Sequence, residues 1–269
     1  MVMRHKVFVV NLKQSTERMQ RIAENLNRLK VPFERFDAVY GKDLPDYTAA
    51  FDTKRFKMET LHDLVPGEAG CALSHIYIWQ KMVAENIPYA IVIEDDAVVP
   101  DSFSEFLTLD FDELGFDYLK LDYPLKEQTA QQLDSVRLPA VVENRRFLGR
   151  QQQQSFCAYE CDPVPFLTAG YLISLQGAKT FLRSSTNMYY PVDLLPLYTL
   201  GYSKQGFIAP AVVDHADDFD SMIPNRDFNV DKQWNLVEYG AHKLFNKARA
   251  RKLNVAARFL YRKVFGSGS

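Results

Sequence analysis

Tyr89-Ala90-Ile91-Val92-Ile93-Glu94-Asp95-Asp96 sets an unbroken apolar run directly against three carboxylates. A short run of this kind suits a strand buried on both faces, as in a parallel sheet covered by helices. The carboxylates then stand at the strand's carboxyl end, where open α/β sheets bind their ligands. Upstream, residues 68–85 carry Ala69, Ala72, Leu73, Ile76, Trp79 and Val83 at helical spacing, and Pro88 stops that helix. Residues 40–66 form a long connection with a helical turn near Lys54, of a length that usually carries function. Before it, residues 33–37 read as a strand. Pro32 ends a helix that Ser15 or Thr16 caps, with Met19, Ile22, Ala23, Leu26 and Leu29 inward. Residues 7–12 form the first strand, so the order is β-α-β-α-β and the fold class is α/β.

The second half is less regular. Residues 116–121 and 169–174 read as strands, residues 175–183 as a helix, and residues 194–200 as a short helix capped by Asp193. Residues 123–156, with glutamines at 151–154, hold no sustained period and suit a loop, a hairpin or a flap.

At 269 residues, 47% hydrophobic and 25% charged, the chain has globular composition, which excludes disorder and coiled coil. Its core can bury roughly three quarters of the unfolded surface without disulfides or a structural metal. Cys71, Cys157 and Cys161 are odd in number and lack the spacing of a zinc finger. Residues 7–10 are too short an apolar run for a signal peptide, and no window approaches a membrane span, so a cytoplasmic location is expected. The formal charge of −2 hides an uneven distribution: eight basic residues and no acidic one lie between Lys243 and Lys263. The body is therefore acidic and the tail cationic, and nucleic acid is not an expected partner.

Three adjacent carboxylates at a buried strand end repel one another unless a cation neutralises them, and oxygen-only ligands suit Mg²⁺ or Mn²⁺. An acidic loop in water is the competing explanation.

Four motifs then occur in a telling order: residues 7–12 (VFVVNL) with Thr16-Glu17-Arg18, residues 32–38 (PFERFDA), residues 67–75 (GEAGCALSH), and Ile93-Glu94-Asp95-Asp96. Thr168-Ala169-Gly170-Tyr171 and residues 191–196 (PVDLLP) follow. In this order they resemble glycosyltransferase family 25, which includes bacterial lipooligosaccharide galactosyltransferases and collagen galactosyltransferases. The resemblance runs from Val7 to about Arg226. It implies a GT-A-like fold with a Rossmann-like, mainly parallel sheet covered by helices. Glu94-Asp95-Asp96 then stands at the D-x-D position, where Asp96 would hold Mn²⁺ or Mg²⁺ on the donor diphosphate and Glu94 would face ribose or sugar.

Around this centre, Asn11, Arg18, Asp37, Ser74, His75 and Asp95 are expected at the donor. Arg18 suits phosphate, with a solvated helix charge as its alternative. Asp37 suits uracil or ribose, or a plain turn. Ser74 and His75 face inward from the helix, where a core histidine is the competing reading, and Glu68 fits either the site or the helix dipole. Asp193 is the expected general base, with Asp122 its competitor, and His215 a further metal ligand.

The resemblance thus points to an inverting transferase that moves a hexose, galactose from UDP-galactose first, onto a lipid-linked oligosaccharide of bacterial lipooligosaccharide or lipopolysaccharide. UDP-glucose and UDP-N-acetylhexosamine stay open as donors. The rivals are a Mg²⁺-dependent phosphohydrolase and a non-catalytic membrane-surface module. Residues 1–240 would form one catalytic domain. Residues 241–265 would form a basic amphipathic C-terminal helix, with Phe245, Ala248, Leu253, Ala256, Leu260 and Val264 on one face. It would rest on anionic lipid at the inner face of the bacterial inner membrane, or pack on the body. Residues 266–269 read as an appended Gly-Ser tag.

Overall fold

The computed structural model describes residues 5–60, 62–122, 146–162, 164 and 168–215. Strand β1 (His5–Asn11) alternates its side chains, Val7 and Val9 entering one core and Phe8 and Val10 the other. Helix α1 (Thr16–Arg28) buries Ile22 and Leu26 and leads to β2 (Glu34–Asp37), which lies parallel to β1 with Asp37 opposite Asn11. The chain then passes through a 3-10 turn (Gly41–Asp43), α2 (Thr53–Thr60) and α3 (Pro66–Ala84) to β3 (Tyr89–Glu94). Strand β3 pairs in parallel with the other side of β1. The chain thus departs β1 in both directions, and the edge between β1 and β3 is a topological switch point, where such sheets open a crevice.

Beyond it come β4 (Ala97–Val98), α4 (Ser102–Phe106), α5 (Phe111–Leu114) and β5 (Tyr118–Lys120). Strands β6 (Arg146–Gln153), β7 (Phe156–Asp162) and β8 (Gly170–Ser174) follow, then α6 (Leu175–Ser184), α7 (Leu195–Tyr198), β9 (Gln205–Ala209) and β10 (Asp214–His215). Eight strands form one sheet in the order β2-β1-β3-β8-β5-β9-β7-β6. The α/β architecture expected from the sequence is present, with β7 and β8 running against the other strands. Strand β8 begins beside the carboxyl end of β3, Gly170 opposite Ile93, and runs antiparallel to it. The glutamine-rich segment closes a hairpin: β6 pairs with β7 across Gln154, whose φ of 54° supplies the left-handed turn that hairpins need.

The sheet divides two hydrophobic cores. One holds Phe8, Val92, Trp79, Tyr171 and Phe181 on the α3/α6 side; the other holds Val9, Ile93, Ile22, Phe103 and Leu119 on the α1/α4 side. At the carboxyl edge, Gly41 and Gly70 let two backbones meet. A Cβ on Gly70 would lie 2.4 Å from the Val39 carbonyl oxygen and 2.8 Å from the Gly41 nitrogen. Loop 38–43 is therefore seated on the first turns of α3 by the absence of two side chains.

The expected helix from Leu194 is shorter than its apolar pattern suggests. It spans Leu195–Tyr198 with Pro196 in its first turn, where the missing N–H costs nothing, and Leu194 rather than Asp193 at its N-cap. The expected basic helix, the 240/241 boundary and the Gly-Ser tail lie outside the described residues. Among the described residues no helix is long and apolar enough to cross a membrane.

Candidate active site

The pleat divides the acidic triplet. Glu94 shares the parity of Val92 and turns toward α3, whereas Asp95 turns toward α1. Asn11, leaving β1 on the same side as Asp95, donates from Nδ2 to Asp95 Oδ2 at 2.6 Å and to the Ser15 carbonyl at 2.9 Å. Arg18, on the first turns of α1, places Nη1 3.4 Å from both Asp95 Oδ1 and Asp96 Oδ2. Burial raises the Asp95 carboxyl above the ordinary carboxylate range, and the hydrogen bond from Asn11 and the charge of Arg18 oppose that rise. The mutual repulsion expected of three carboxylates is thus relieved in part by the chain itself.

Glu94 sits among different partners. His75 Nε2 lies 3.4 Å from its Oε1, and the Thr168 hydroxyl donates to the same oxygen. Burial opposes ionisation of Glu94, but the hydrogen bond and charge of His75, joined by Thr168, outweigh it and hold the carboxyl low. The His75 ring is held from behind: Nδ1 meets the Tyr171 hydroxyl at 2.8 Å, and that oxygen accepts from Trp79 Nε1 at 3.2 Å. The indole can only donate, so the Tyr171 oxygen accepts from it and can turn its own proton toward Nδ1 when that nitrogen is unprotonated. Burial pushes the Tyr171 hydroxyl well above its usual range, which keeps that proton in place.

A cleft of about 400 Å³ opens over this edge, within the size range of small-molecule sites. Arg18, Ser74, His75, Glu94, Asp95 and Asp96 line it, together with Val10 from β1, loop residues 38–42, residues 65–67 and Cys71 from α3. Ser74 uses its hydroxyl to build the wall, accepting from the Val39 amide at 2.8 Å and donating to the Gly70 carbonyl at 2.7 Å. Glu68 is buried at the start of α3 and accepts from the Val65 amide, the bond expected of a first-turn carboxylate.

Four expected residues stand apart from the lining: Asn11, buried against Asp95, together with Asp37, Asp193 and His215. Asp37 ends β2 with its side chain 74% exposed and 3.3 Å from Arg35; its neighbours Ala38 and Val39 reach the cleft instead. Asp193 is half-buried in a 3-10 turn (Val192–Leu194); burial pushes the Tyr118 hydroxyl well above its usual range, and the charges of Asp122, Asp193 and Glu94 add to that rise. His215 is placed by its backbone, opposite Ala97 in the β4/β10 pair and so next to the end of the acidic triplet. Asp122 forms an ion pair with Lys120 at 2.5 Å, both side chains fully buried.

Cys71, Thr168 and Tyr171 stood in the quoted motifs without an assigned role, and Lys120 stood in none. Cys71 was legible, since it precedes His75 by four residues on the face of α3 that meets the cleft. The others required the register of β8 and β5.

Residues 4–196 match the family described as glycosyltransferase family 25 (LPS biosynthesis protein). The chain is 30% identical over 213 residues to procollagen galactosyltransferase 1-A of Xenopus laevis, a match covering 70% of this chain and 30% of that protein. It is 29% identical over 187 residues to a putative glycosyltransferase of Haemophilus influenzae, covering 70% and 59%. It is also 24% identical over 222 residues to the lacto-N-neotetraose biosynthesis glycosyltransferase LgtE of Neisseria gonorrhoeae, covering 76% and 71%. The chain spans less than two thirds of the first two of these relatives. With the match extending across β1, α3, the acidic edge and the 3-10 turn of Asp193, the chain belongs to glycosyltransferase family 25.

Proposed function

We propose that this chain transfers a hexose with inversion, galactose from UDP-galactose first among donors, to a saccharide of bacterial lipooligosaccharide or lipopolysaccharide. The observation that carries the reading is the cleft at the β1/β3 switch point, with Arg18 on one side and Glu94-Asp95-Asp96 along its edge. The names of the Neisseria and Xenopus relatives support the substrate class. The donor would lie with its diphosphate toward Arg18 and Asp96 and its sugar toward Glu94 and His75. Asp37 stands outside the lining, so the base would rest on loop 38–42 instead.

The donor set suits Mn²⁺ or Mg²⁺: Asp96, which shares Arg18 with Asp95, offers hard oxygen at the cleft, while Asp95 is also bound by Asn11. Bound there, such an ion would supply charge neutralisation for the departing nucleoside diphosphate. Arg18 contributes the same sign of charge from the chain itself. His75, fixed by Tyr171, orients Glu94. Asp193 would take the proton of the acceptor hydroxyl as it attacks the anomeric carbon, the role an inverting transfer assigns to one carboxylate.

The test is a donor panel with Mn²⁺, following nucleotide release with and without truncated lipooligosaccharide acceptors. Acceptor-dependent UDP release from UDP-galactose is expected. Phosphate release without sugar transfer would favour a phosphohydrolase. Asp96→Asn is expected to abolish metal-dependent UDP binding measured by calorimetry, with the circular dichroism spectrum retained; unchanged affinity would remove Asp96 from the metal site.

A further inference from the structure

Among the described residues, Cys71, His75 and Glu94 bring one sulfur, one imidazole nitrogen and one carboxylate oxygen within 4.8 Å of one another. All three line the cleft. Cys71 and His75 are one helical turn apart on α3, and Glu94 meets them from the end of β3. Ligand atoms about 2.0–2.3 Å from a tetrahedral zinc ion stand about 3.3–3.7 Å from one another. The 3.4 Å between His75 Nε2 and Glu94 Oε1 is such a tetrahedral edge. Outer partners of the kind that orient metal ligands are already built: Tyr171 on His75 Nδ1 and Thr168 on Glu94.

We propose that Cys71, His75 and Glu94 form a zinc site whose fourth position opens into the cleft. It differs in chemistry from the oxygen-only edge at Asp96, because thiolate and imidazole favour Zn²⁺ over Mg²⁺ or Mn²⁺. As the sulfur–zinc bond forms, the Cys71 thiol gives its proton to solvent. Metal binding selects the imidazole tautomer protonated at Nδ1, leaving Nε2 for the metal; the Tyr171 oxygen then accepts from both Nδ1 and Trp79 Nε1, with its own proton turned away from them. Zinc held there draws Glu94 away from any other ligand, so its occupancy excludes a nucleotide sugar. That consequence alone rests on the transferase reading; the site itself does not.

The test titrates the metal-free full chain with Co²⁺. A thiolate-to-cobalt charge-transfer band in the near ultraviolet is expected, saturating at one equivalent and discharged by Zn²⁺ but not by Mg²⁺. Cys71→Ser and Cys71→Ala, with folding checked by circular dichroism, are expected to lose the band, and Tyr171→Phe to weaken zinc about 10–100-fold. Absence of the band in the unaltered chain overturns the site. So does a band that survives in the Cys71 variants, since Cys157 and Cys161 would then be its source. A second arm measures UDP-galactose binding in Mn²⁺ with and without zinc. Equal affinities alongside a cobalt band would overturn the exclusion of nucleotide sugar. Failure of UDP-galactose to bind the zinc-free chain would sink the transferase reading, with the cobalt spectrum still deciding the metal site.

Discussion

The charges of Asp193 and Asp122 both add to the rise that burial gives the Tyr118 hydroxyl, yet their surroundings assign them different work. Asp122 is fully buried against Lys120, whose stem leaves β5 into the sheet interior, and each charge there depends on the other. Replacing Asp122 by Asn would keep the shape but leave the ammonium of Lys120 buried without its carboxylate. Breaking a buried pair in this way costs about 3–5 kcal/mol. Urea unfolding of Asp122→Asn is expected to show a loss of that size, and a midpoint equal to that of the unaltered chain would mean the pair carries no such weight. Asp193 is half-buried on a 3-10 turn, with its Oδ1 turned inward. Asp193→Asn is expected to retain UDP binding and urea stability while lowering turnover about 10²–10⁴-fold, the range for a positioned acid or base. Near-normal turnover would remove Asp193 from the role of base.

Loop 38–43 meets α3 through two glycines as well as through the Ser74 hydroxyl. Gly70 faces the Val39 carbonyl and the Gly41 backbone so closely that a methyl group would have to displace main chain on both sides. Overpacking of this kind typically costs about 1–3 kcal/mol, and here the displaced segment is the cleft wall. Gly70→Ala is therefore expected to lower the melting temperature and to weaken UDP binding, whereas a variant with unchanged affinity would show that the wall adjusts. Gly70 stood in a motif whose resemblance pointed to the site, but its steric reason was invisible until the loop lay on the helix. Elements with strong local signals were legible: the apolar run 90–93, the helical spacing of α3 and the strand at residues 7–12. The β6/β7 hairpin was not, because its turn uses Gln154 at positive φ where Asn-Gly would have announced it. Nor was the partnering of Glu94 with Thr168, which arises from β8 pairing antiparallel with β3 across a long sequence gap. Asp37 shows the converse: its motif was recognised, yet at the end of β2 its side chain turns to solvent beside Arg35.

The whole chain couples an acidic body, with its cleft at one sheet edge, to a segment carrying eight basic residues between Lys243 and Lys263. A lipid-linked acceptor is confined to a surface, so an enzyme held at that surface meets it more often than one diffusing in bulk. Each Lys or Arg close to an anionic membrane contributes about 1 kcal/mol, and several acting together would outweigh repulsion of the acidic body. The attraction is screened within roughly 10 Å at 0.1 M salt, so it should be strong at low ionic strength and fade as salt is added. Deleting residues 243–265 is therefore expected to weaken sedimentation with phosphatidylserine-containing vesicles at low salt. It should also slow transfer to micellar acceptor and leave transfer to a short soluble acceptor nearly unchanged. The two acceptors separate attachment from catalysis, because a deletion that damaged the fold would slow both. Equal sedimentation of the two chains at low salt would refute attachment through this segment, and a loss that persists at high salt would point to apolar insertion by Phe245, Leu253 and Leu260 in place of charge.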